Sequence, residues 1–273
     1  MRGSVVRTRL AIILLFLISI AVNSYAASRV FYENFDDGNA NEFDTATADV
    51  VTTSPHSGSY CGRANWQTDG DNQSTSNFVK SSWSYTNETF IRFWVKIDPN
   101  CYESIGTLEN AKVMRLSWDG ENSDYTMTLQ DDTNGTYHDS WYVNGSFVLN
   151  CYSSGTLSPG TWHKVEIYIK HDTDGSDGVI KIWTDDVLNN NSCYPYNGDT
   201  YDGDEYWYPF HFPSNWTRTD GEDPEPNYIY IDDVEIYSDQ GTGATGSMAD
   251  GTITVDSGST RSKHYYSGQA NFR

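Results

Sequence analysis

The plainest pattern along the chain has a period of two. Over 90–97, Ile91, Phe93, Val95 and Ile97 take one parity and Arg92, Trp94 and Lys96 the other. That is the pattern of a strand with one buried face. Over 162–170, Val165, Ile167 and Ile169 alternate with Lys164, Glu166, Tyr168 and Lys170. His163 falls on the apolar parity and is expected to pack rather than react. Shorter runs predict strands over 30–35, 112–118, 125–129, 141–143, 146–149 and 179–184. Asp36-Asp37-Gly38, Asp119-Gly120 and Asn144-Gly145 supply turns. Over 227–237 the alternation changes phase. Ile229 and Ile231 are apolar at odd positions, Val234 and Ile236 at even ones, with Asp232 and Asp233 between. A one-residue slip of this kind predicts a β-bulge at the Asp pair.

No long helical period occurs beyond the N-terminus, so the chain reads as one all-β domain over 29–238. The segment 189–226 is rich in Tyr, Trp, Asp and Pro and reads as a long loop of functional character. Residues 1–26 resemble an export signal. Arg2, Arg7 and Arg9 precede the apolar run 10–21, which ends at Ser24-Tyr25-Ala26. The expected location is secreted, extracellular or periplasmic, with no membrane partner after cleavage. Residues 239–273 are Gly- and Ser-rich and read as a linker or disordered tail.

Charge narrows the functions. The 273-residue chain carries a formal charge of −21, and losing the signal arginines makes it more negative still. This argues against nucleic acid as a partner and against polyanionic substrates held by charge alone. The four cysteines, Cys61, Cys101, Cys151 and Cys193, lack metal-ligand spacing, and export permits disulfides among them in any of three pairings.

The ordered pieces VFYENFDDG, HSGSYCGRA, FIRFWVKID, GTWHKVEIYIK, GVIKIWTDD and YIYIDDVEIY resemble the concanavalin A-like lectin/glucanase superfamily. The resemblance spans residues 29–238. It implies an all-β, two-sheet antiparallel jelly-roll sandwich, of the kind used by carbohydrate-binding modules and polysaccharide lyases. It also implies a structural Ca²⁺ held by a Glu of the first strand and an Asp of the last, here Glu33 with Asp232 or Asp233. For Asp36 and Asp37 a plain surface turn is the expected role, with extra oxygen ligation as the alternative.

Three functions follow as expectations. The leading one is a secreted carbohydrate-binding module without catalysis, whose partner is a polysaccharide or other glycan. Its flat aromatic and polar contacts would come from Trp94, Glu166, Tyr168, Lys170, Trp207 and Trp216. The alternative is a polysaccharide lyase acting on a uronate-containing glycan by β-elimination. That chemistry needs a base, an acid and a group that neutralises the uronate. Arg115, His138, Tyr142, Tyr168 and Lys170 are the candidates, with His211 beside them. The third is a surface adhesion module with a protein partner. The paired-carboxylate motif E-x-D-x-x-E of the glucanases of this fold is absent, which removes the two carboxylates that a retaining glycosidase requires.

Overall fold

The computed structural model describes residues 28–65, 76–81, 83, 88–99, 101, 108–118, 123–129, 136–143, 146–170, 179–188, 207–214, 216–218 and 228–238. For some strand residues, His138, Tyr142, Trp207 and Trp216 among them, the backbone alone is described.

These residues form two antiparallel sheets. The first comprises β1 (Ser28–Glu33), β3 (Asp49–Val51), β4 (Cys61–Asn65), β6 (Glu88–Ile97), β11 (His163–Lys170), β12 (Val179–Thr184), β13 (Val187–Leu188) and β16 (Tyr228–Ser238). Its order is β13-β12-β11-β6-β16-β4-β3, with β1 also on β16. The second comprises β2 (Thr45–Ala46), β5 (Phe78–Lys80), β7 (Leu108–Trp118), β8 (Ser123–Leu129), β9 (Thr136–Val143), β10 (Ser146–Thr156), β14 (Trp207–Phe212) and β15 (Trp216–Arg218). Its order is β10-β9-β8-β7-β14-β5-β2, with β15 also on β7.

The period-two faces meet in the core. Ile91, Phe93, Val95 and Ile97 of β6 and Val165, Ile167 and Ile169 of β11 are buried as their parity predicts. They pack toward Met114 and Leu116 of β7, Met127 of β8 and Phe210 and Phe212 of β14. Phe93 bridges the layers, with ring centroids 6.1 Å from Phe210 and 5.7 Å from Phe212. His163 is buried as expected, and its Nδ1 lies 2.7 Å from Asp185 Oδ2.

β16 is central. Its first half pairs with β4 on one side, through Ile229–Ala64 and Ile231–Gly62, and its second half with β1 on that side, through Val234–Glu33 and Ile236–Phe31. β6 lies along its other side, with the register slipping between Asp232 and Glu235. Asp233 has φ +47°. The predicted bulge is thus the point where β16 changes partners.

Two expectations change. The segment 189–226 is not loop throughout, for it contributes β14, next to β7 in the second sheet, and the short β15. Pro209 sits where the β14–β7 register shifts between Tyr208 and Phe210, a bulge that tolerates a residue without an N–H. Cys61 is a buried free thiol rather than a disulfide partner, and Cys101 is buried as well. The Cys61 thiol approaches the Thr53 carbonyl at 3.7 Å and that of Cys101 the Tyr228 carbonyl at 3.5 Å. Burial, and then Asp232, push the Cys61 thiol pKa up to about 11. Cys193, residues 1–26 and residues 239–273 lie outside the described residues, and only the backbone of Cys151 is described.

Candidate functional site

The outward face of the second sheet is built by the same alternation that builds the core. Met114 and Leu116 of β7 face inward, which sets Arg115 on the opposite face, half-buried. Phe210 and Phe212 face inward on β14, which does the same for His211. Register places Arg115 directly opposite His211 on β14 and opposite Thr126 on β8. Met127 is buried, so the positions of Asp124, Thr126 and Thr128 belong to the outward face. On β9, Tyr142, Ser140 and His138 stand opposite these three in turn. Tyr208 of β14 stands opposite Ser117, which stands opposite Asp124. One face therefore carries the positions of Arg115 on β7, His211 and Tyr208 on β14, and His138 and Tyr142 on β9, with β8 between β7 and β9.

Burial and the positive charge of Arg115 both hold the His211 pKa below the usual histidine value. The imidazole is then neutral at neutral pH and able to accept a proton beside a fixed cation. The sequence pattern leaves Tyr208 within the 189–226 segment, read as a loop. Its place in the sheet follows from a pairing with β7 that spans about ninety residues of chain, which no local pattern encodes.

Tyr168 and Lys170 lie elsewhere, on β11 of the first sheet, and do not join Arg115, His138 and Tyr142. Glu166 and Tyr168, expected on an open ligand face, are only 1% and 2% exposed. The Tyr168 hydroxyl donates to Glu88 Oε2 at 3.1 Å. Glu166 lies 4.0 Å from Arg92 Nη1 and 3.6 Å from Lys164 Nζ. Arg92 stands opposite Glu166 on one side and Glu235 on the other, and it is hydrogen-bonded to Glu235. These groups form a buried charge row, not a sugar platform. Trp94, half-buried on the same sheet, stacks on His56 at 3.6 Å between centroids. The backbones of Trp207 and Trp216 lie in the second sheet, opposite Trp118 and Ala111 of β7, so the six predicted sugar contacts are divided between two sheets.

The predicted calcium ligands also divide. Asp232, fully buried, accepts N–H groups from His56 at 3.0 Å and Ser57 at 3.1 Å on Oδ2, and from Asp233 at 2.8 Å on Oδ1. His56 Nδ1 is hydrogen-bonded to Asp233 Oδ2 at 3.0 Å. Among the described residues, His56, Asp232 and Asp233 are the group of acidic, His or Cys side chains whose ligand atoms all lie within 4.8 Å of one another. Glu33 is not in it. Its Oε1 accepts the Phe35 N–H at 2.6 Å, its Oε2 is buried without a hydrogen-bond partner, and Glu42 and Asp37 are its acidic neighbours. Burial first, and Glu42 next, raise its pKa to about 8. Asp36 accepts the Ser59 N–H at 3.1 Å.

No protein-family model and no curated protein matches the sequence. Solved structures do match. An endo-β-1,4-glucuronan lyase from the fungus Trichoderma reesei aligns over 77% of this chain and 96% of its own, with a TM-score of 0.54 at 17% identity. The alginate lyase Aly36B, solved as a mutant with an alginate tetrasaccharide, aligns over 78% and 98%, with a TM-score of 0.54 at 15% identity. The marine PL-14 alginate lyase from Aplysia kurodai aligns over 78% and 100%, with a TM-score of 0.52 at 13% identity. Identities this low speak to architecture, and with the sheet order above they establish that the chain has a two-sheet antiparallel jelly-roll fold.

Proposed function

We propose that this chain is a polysaccharide lyase that cleaves a uronate-containing glycan by β-elimination. The observation that carries the proposal is the cross-strand pair Arg115–His211 on the outward face of the second sheet, with the positions of His138 and Tyr142 on the same face. The comparisons support this reading over a module that only binds sugar, since the similar structures named above are lyases of glucuronan and alginate. The export signal read in the sequence would deliver such an enzyme to where polysaccharide is met.

The chemistry assigns the roles. The hydrogen on C5 of a uronate is weakly acidic until its carboxylate is neutralised. The Arg115 guanidinium, always charged, can do this with two parallel hydrogen bonds. Neutral His211 beside it takes the C5 proton. The electron pair left on C5 forms the C4–C5 double bond as the C4–O4 bond breaks. Tyr142 gives its proton to the departing O4, which leaves as a hydroxyl on the shorter chain. His138, two residues from Ser140 on the same strand, would hydrogen-bond the sugar.

The test incubates the full chain with alginate and with glucuronan while following the ultraviolet absorbance of the unsaturated product. Arg115→Ala and His211→Asn should each lower kcat/KM by about 100-fold or more. Absence of product on every polyuronate, with binding retained, would return the chain to the non-catalytic carbohydrate-binding reading.

A further inference from the structure

His56, Asp232 and Asp233 take no part in the proposed cleavage; the Asp pair lies on β16 of the first sheet and His56 in the loop between β3 and β4, whereas Arg115 lies on the second sheet. We propose that they form a binding site for a zinc-like first-row transition ion, in place of the calcium that the family resemblance implied. The inference stands apart from the lyase reading.

Backbone geometry is the first support. Adjacent residues of a regular strand point to opposite faces. At Asp232-Asp233 the bulge, with φ +47° at Asp233, breaks that rule, and both carboxylates reach the same imidazole neighbourhood. The separation of ligand atoms, all within 4.8 Å, suits an ion held about 2.0–2.2 Å from each.

Pre-organisation is the second. Three backbone N–H groups fix the Asp232 carboxylate. Stacking on Trp94, at 17° between planes, fixes the His56 ring. Ligands already oriented by outer partners are the common arrangement at metal sites.

An unmet need is the third. Asp233 Oδ1 and Ser57 Oγ are buried without a hydrogen-bond partner. Asp232 is fully buried next to a second carboxylate, and a cation supplies the charge that the pair lacks.

Donor chemistry selects the ion. Calcium takes six to eight oxygens, whereas one of these three donors is an imidazole nitrogen and the expected extra oxygen of Glu33 is elsewhere. Imidazole with carboxylate favours zinc and its neighbours. On binding, the proton between His56 Nδ1 and Asp233 Oδ2 leaves to solvent and both lone pairs turn to the metal.

The full chain, stripped with EDTA and dialysed, is titrated with Zn²⁺ alone and with Ca²⁺ alone. Bound metal is counted, and melting is followed by circular dichroism. One zinc per chain and a Tm rise of about 5 °C with Zn²⁺, with no rise from equal Ca²⁺, are expected. Asp233→Asn and His56→Gln should each lose that zinc while keeping the native far-ultraviolet spectrum. The proposal is overturned by zinc binding that survives both substitutions, or by calcium binding that is equal to or stronger than zinc. Failure to bind zinc also overturns it.

Discussion

Single residues decide more here than their exposure suggests. Glu33 is the clearest. A carboxyl whose folded pKa is about 8 against an ordinary 4.5 binds a proton in the folded state that the unfolded chain releases between those values. Folding stability from this group therefore falls as pH rises from about 4.5 to about 8. Glu33→Gln keeps an acceptor for the Phe35 N–H and removes the titration. The variant should melt about 5 °C above the native chain at pH 9 and close to it at pH 4; a variant less stable than native at pH 9 would refute this. Arg92 makes the opposite case. It stands between Glu166 and Glu235 on flanking strands, and all three side chains are at least four-fifths buried. Arg92→Met removes the cation that two buried carboxylates share, leaving Glu166 to Lys164 and Glu235 to Arg29, and should cost about 3 kcal/mol, read from urea unfolding. Restoring stability by adding Glu235→Gln would tie the loss to charge rather than to packing.

Elements are where sequence and structure diverge. Gly62 of β4 has room for no side chain, because a Cβ there would stand 2.8 Å from the rings of Phe35 and Phe78. Gly62→Ala should destabilise by about 1–3 kcal/mol through overpacking, and a companion Phe78→Leu should recover part of it. A neutral Gly62→Ala would mean that those rings move freely. The long strands were legible, because their faces are set by period-two burial. β6, β11 and both halves of β16 carry their inward residues as the alternation reads, and the phase slip at Asp232-Asp233 marks a real bulge. Short strands were not legible. β2, β3 and β15 have two or three residues each, too few for a period. β14 was hidden by Pro209, which is tolerated only because the register shifts there. The sites were half legible. Arg115 and the Asp pair could be named from residue type and place. His56 could not, since it reaches Asp233 from a loop 177 residues earlier. Nor could the burial of Glu166 and Tyr168, whose partners come from β6. Alternation tells which side a residue faces, not whether that side meets water.

At the scale of the molecule, charge would govern how the substrate proposed above approaches. A chain with formal charge −21 repels a polyuronate beyond the immediate reach of Arg115. Salt shortens that repulsion, the screening length falling from about 30 Å at 0.01 M to about 10 Å at 0.1 M. The KM for alginate or glucuronan should therefore fall as ionic strength rises across this interval, with kcat little changed. A KM that rises steadily would show that a local basic surface governs capture instead.

β16 has one more consequence, for how the chain is assembled in time. The strand that lies between β6 and the pair β1 and β4 is the last of the described strands to be synthesised. Until it arrives, the first sheet exists as two paired pieces, with open edges along β6 and β4, and an unpaired β1. Closure of the core is thus a late, long-range event of the kind that makes β-sandwiches slow to fold. A growing chain that stops short of Tyr228 should be protease-sensitive and prone to edge-to-edge association, and amide exchange in the finished protein should be slowest along β16 and β6.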